Sequence, residues 1–67
     1  MGKLYQLQIE NIYSKDRYDI TSFGNDPREV HKHVLTGVIS CNERIVKIKF
    51  NNTIVFEDNK GFFHIPS

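Results

Sequence analysis

Alanine is absent from this 67-residue chain and leucine occurs only three times, against eight isoleucines and five valines. β-Branched side chains lose rotamer freedom in a helix and fit a pleated surface, so strand should outweigh helix. A single cysteine, Cys41, excludes an intramolecular disulfide, and with no charged-then-apolar leader the expected setting is a reducing cytoplasm. No apolar run approaches the roughly 20 residues of a membrane span, so no membrane association is expected. An excess of one charge is missing too. Nine Lys and Arg against eight Asp and Glu leave a net charge of +1, which favours neither nucleic acid nor an anionic membrane through an overall field.

What remains is a composition with 25% charged residues, ordinary for a folded domain. Residues 1–67 make one domain, small enough to remove only about 60% of its unfolded surface from water, so each core contact matters. From Leu4 to Asn11 the side chains alternate, with Tyr5, Leu7 and Ile9 on one side and Gln6, Gln8 and Glu10 on the other, as in a half-buried strand. After the polar stretch Tyr13-Ser14-Lys15-Asp16, alternation resumes from Tyr18 to Ser22, which predicts a hairpin. Opposing Ile12 to Arg17 pairs Ile9 with Ile20, but also sets Glu10 against Asp19, an unfavourable like-charge pair.

Asp26-Pro27-Arg28-Glu29 carries the signature of a helix start. Asp26 can accept from the free amides of the first turn, Pro27 has no amide to leave unpaired, and Glu29 can reach back. Val30, Val34, Leu35 and Val38 then fall at helical spacing, and Gly37 is a natural stop, with Ser40 as the outer limit. Beyond it, Val46, Ile48 and Phe50 alternate with Lys47 and Lys49, and Ile54 and Phe56 with Val55 and Glu57. An odd loop, Phe50-Asn51-Asn52, keeps both apolar sets on one face and opposes Ile48 to Ile54 and Val46 to Phe56. A turn at Asp58-Asn59-Lys60-Gly61 opposes Asp58 to Phe62 and leads into a last strand through Ile65. The expectation is an α+β fold in the order ββαβββ, an antiparallel sheet of about five strands with one short helix on one face. Whether the two hairpins share one sheet is left open by the pattern.

That parity sends Val55, Phe63 and Ile65 to the face away from the helix, beside Lys47 and Lys49. An apolar surface flanked by cations is either covered by the first hairpin, or serves a protein partner or a second copy, or stacks and holds a single-stranded nucleic acid. The partner-binding candidates are therefore Lys47, Lys49, Val55, Phe63 and Ile65. Chemistry of other kinds finds little support. His31 and His33, two apart on a helix, diverge by about 200° and cannot chelate one ion. A Cys41–His pair lacks a pocket around it, so no catalytic residue, metal, cofactor or small-molecule substrate is expected. Lys15, Arg17, Arg44, Lys47 and Lys49 are interleaved with Glu10, Asp16, Asp19 and Glu43, which reads as a mixed solvated surface. The sequence thus points to a small non-enzymatic protein-binding or regulatory module, with an accessory nucleic-acid-binding domain as the alternative. Its Asn-, Ile-, Lys- and Phe-rich composition suits a small bacterial or phage accessory protein.

Overall fold

The structure, a computed structural model, describes residues 2–58 and the backbone of Phe62 and Phe63. Strands β1 (Lys3–Asn11) and β2 (Arg17–Gly24) form a hairpin, helix α1 (Pro27–Gly37) follows, and β3 (Glu43–Phe50), β4 (Thr53–Glu57) and the short β5 (Phe62–Phe63) complete the chain. All pairings are antiparallel in a single sheet of order β2-β1-β3-β4-β5. The two hairpins therefore share one sheet, joined where β1 meets β3. No helix among the described residues is long and apolar enough to cross a membrane.

Local signals set the helix. Asp26 is extended and its carboxylate accepts from the Glu29 amide at 3.0 Å, while Pro27 occupies the first turn. Asp26 thereby satisfies one of the amides that a helix start leaves free. Val30 and Val34 are buried, whereas Leu35 and Val38, expected on the same stripe, are about half exposed. An 11-residue helix of this composition would not persist alone, and it is held by packing against β2 and β3.

The first hairpin differs from expectation by two residues, which preserves every face. Glu10 opposes Arg17, Ile9 opposes Tyr18 and Leu7 opposes Ile20. The Asn11 side chain accepts from the Tyr13 and Ser14 amides, and Lys15 takes a left-handed conformation at φ 68°. The like-charge pair of the expected register is replaced by an ion pair between Glu10 and Arg17.

The second hairpin departs further. Asn51 and Asn52 both have positive φ, 50° and 64°, and Phe50 opposes Thr53, so the loop has two residues rather than three. Left-handed conformation at both central positions is the requirement of a type I′ turn, and Asn tolerates it. The even loop sends Ile54 to the lysine side, opposite Lys49. A register shift at Val55 then returns Phe56 to the core opposite Ile48. A matching shift in β3 makes Val46 the extra residue, so that Ile45 and Ile48 face inward while Val46 is only half-buried. These are β-bulges, each placing two residues against one on the neighbouring strand. The resulting core joins Tyr5, Leu7, Ile9, Ile45, Ile48, Val55 and Phe56 to Val30 and Val34. Tyr5 is fully buried, and among the described residues its hydroxyl has no hydrogen-bond partner. Burial, and then the carboxylates of Asp26 and Glu29, hold its phenol above the usual range.

Candidate functional site

The five residues expected to form one apolar and basic surface are not brought together. Lys47 and Lys49 do lie on the face away from the helix, where they line a shallow depression of about 390 Å³ with Gln6, Gln8, Asp19 and Thr21. Val55 does not join them. It is 1% exposed and belongs to the core, because the bulge turns it toward the helix. Phe63 opposes Phe56, and Phe62 opposes Glu57, one residue off the expected parity, and Ile65 lies outside the described residues. The apolar side chain beside Lys49 is instead Ile54, 40% exposed. This face of the sheet is mainly polar, with Lys47 opposed to Gln8 on one side and Glu57 on the other.

Arg17 and Arg44, expected on a mixed surface of both signs, are paired with carboxylates. Arg17, Glu10 and Arg44 stand directly opposite one another across β2, β1 and β3. Glu10 accepts from Arg17 Nε at 3.1 Å and from Arg44 Nε at 2.9 Å, and Arg44 also pairs with Asp58. Covered by both guanidinium groups, Glu10 is 6% exposed although it points away from the helix. The hydrogen bonds from Arg44 and then Arg17 hold its carboxyl below the ordinary 4.5. A lowered folded-state pKa means stability that is fully present above pH 4.5 and lost as pH falls through the folded value. Urea midpoints measured from pH 7 to pH 3 should therefore fall less steeply below 4.5 in Glu10→Gln than in the parent. Glu43, also lowered by the Ser40 amide and the Tyr18 hydroxyl, supplies a remaining slope in both. Parallel curves would remove Glu10 from the acid response.

Among the described residues no three of His, Cys, Asp and Glu gather in a metal-binding arrangement. The His31 ring packs edge-on against Phe56 with centroids 4.9 Å apart, and its pKa is lowered by burial. Cys41 is an exposed free thiol.

The feature with binding geometry is the outer edge of β2. This strand is at the end of the sheet, and among the described residues nothing pairs with its far side. Its ladder with β1 runs unbroken from Lys3↔Gly24 to Glu10↔Arg17, without a bulge. The bond from the Asn11 amide to the Asp16 carbonyl, 2.9 Å, sets the phase of that ladder. By antiparallel alternation, Tyr18, Ile20, Ser22 and Gly24 turn their amides and carbonyls to β1, whereas Arg17, Asp19, Thr21 and Phe23 turn theirs outward. Phe23 is 70% exposed and stands opposite Leu4, 47% exposed, so an apolar pair flanks the edge at one end. Tyr18 anchors the other end, where its hydroxyl donates to Glu43 of β3. Edges of this length are ordinarily blunted by charged side chains, proline or a bulge; β2 has no lysine, proline or bulge, and its two charges, Arg17 and Asp19, are of opposite sign. Sequence reasoning missed this site because a strand's place in the sheet is not encoded in the strand itself. The available signal was the unbroken alternation after Arg17 with no lysine or proline. The chain matches no family model, and neither a curated protein nor a solved structure matches it.

Proposed function

We propose that this chain is a small non-enzymatic protein-binding module that takes up an extended segment as an added strand along β2. One observation carries the reading: an eight-residue, unbulged strand at the end of the sheet whose outward amides and carbonyls meet no partner among the described residues. Strand addition supplies main-chain hydrogen bonds for affinity, and side chains on alternate positions supply selectivity. Phe23 and Leu4 give an incoming strand an apolar contact on one face, and Ile20 and Tyr18 give one on the other. A reducing, cytoplasmic setting suits the single exposed thiol.

The test is selection from a random library of ten-residue peptides. Peptides rich in β-branched residues should be recovered, and they should protect the amides of Asp19, Thr21 and Phe23 from hydrogen exchange. Thr21→Pro removes an outward amide, which β1 does not use, and should abolish their binding while leaving the circular dichroism spectrum intact. Binders indifferent to Thr21→Pro would overturn the reading. Loss of binding in Lys47→Glu/Lys49→Glu alone would move the function to the lysine depression, and salt-sensitive binding of single-stranded nucleic acid there would establish the alternative.

A further inference from the structure

We infer that the occupant of the β2 edge is a second copy of the same chain, paired antiparallel about a two-fold axis at Ile20; this rests on the strand-addition reading above. In a two-fold antiparallel pair whose sheets continue into one another, residues directly opposite must lie on the same face and have the same hydrogen-bonding direction. Only an axis passing through a residue, not between residues, satisfies both. With the axis at Ile20, Asp19 of each copy opposes Thr21 of the other, and Arg17 opposes Phe23. All four residues already direct their backbone groups outward, so every outward group from Arg17 to Phe23 is met. On the helix side Ile20 meets Ile20, and Tyr18 meets Ser22.

The neighbouring axes fit less well. Moving the axis to Asp19 sets two carboxylates directly against each other, which is destabilising. Moving it to Thr21 carries Arg17 past the end of the strand to Asn25. At Ile20 no like charges oppose, and the Arg17 guanidinium, held on one side by Glu10, comes opposite the exposed Phe23 ring as a cation–π partner. Two copies at net charge +1 repel each other little. The pairing also closes on itself. Each copy uses its β2 edge once, and among the described residues the strand at the opposite end of the sheet is the two-residue β5. The product is a discrete dimer with a continuous sheet, not a growing fibre.

Sedimentation of the full chain over a wide concentration range tests this, together with Thr21→Lys and Thr21→Asp. Thr21 is exposed and opposes the neutral Gln6 within its own chain, so neither change disturbs the monomer. In the dimer each substitution acts twice, against the second copy's Asp19. The parent should form a dimer, Thr21→Lys should tighten it by roughly two- to tenfold, and Thr21→Asp should weaken it by a similar factor. The amides of Asp19, Thr21 and Phe23 should gain exchange protection with concentration. A dimer indifferent to both changes, or one that Thr21→Lys weakens, would overturn the pairing at Ile20. A parent that stays monomeric would exclude the second copy. If library peptides then still protect the edge amides, strand addition stands with a different partner, and if they do not, both readings fall.

Discussion

Phe56→Ala should cost about 3–5 kcal/mol, the usual range for removing a buried aromatic ring, and should leave little folded protein at room temperature. A domain of this size rarely has more than about 3–5 kcal/mol of stability from its core alone. Phe56 stands opposite Ile48 in the ladder, touches the His31 ring, and shares a core with Val30 and Val34. Its loss would open a cavity where, together with Val55, it fastens β4 to the helix layer. Urea unfolding followed by far-ultraviolet circular dichroism is the measurement. A cooperative transition with a midpoint near that of the parent would show that the β4 register is wrong.

The second large effect belongs to Gly24, where the chain leaves the sheet to enter the helix. A β-carbon placed there would lie 2.3 Å from Val30 Cγ2. That methyl cannot give way cheaply, because Val30 is fully buried and its β-branched side chain is stiff about its first torsion. Gly24→Ala should therefore push the helix off β2 and cost about 1–3 kcal/mol. The double variant Gly24→Ala/Val30→Ala should cost clearly less than the sum of the two single changes, because removing the methyl groups removes the clash. Simple additivity in the same unfolding assay would mean that helix and strand do not approach so closely.

Features of this fold that depend on a few consecutive residues were legible in the sequence. Asp26, Pro27 and Gly37 bounded the helix at Pro27–Gly37, and the alternation of Tyr5, Leu7 and Ile9 identified the buried face of β1. Ile48 and Phe56, expected on the helix side of the sheet, share the core with Val30 and Val34. Features that depend on how strands meet were not legible. The assumption that alternation is never interrupted put Val46 inside and Val55 outside, whereas a bulge beside each reverses or blurs that assignment. Leu35 kept helical spacing but lies beyond the cover of the sheet. The charge conflict between Glu10 and Asp19 did carry information: a slip of two residues resolves it and brings Arg17 to Glu10 without changing any face. For the candidate site, the two lysines were placed on the correct side of the sheet, while the free edge of β2 could be recognised only after β1 had been seen to pair with β3.

The bulge at Val46 also bears on how the chain tolerates changes in length. β3 contains one residue more than its ladder with β1 requires, since Gln8 and Ile9 are adjacent while their partners Lys47 and Ile45 are not. A gene that lost the codon for Val46 would encode a strand in which Ile45 and Ile48 still point inward and Arg44 still meets Glu10. Loss of Ile48, two positions later, would instead draw a lysine into the core. Drift in length within β3 is thus confined to the surplus position, and relatives one residue shorter at that point would keep the same sheet.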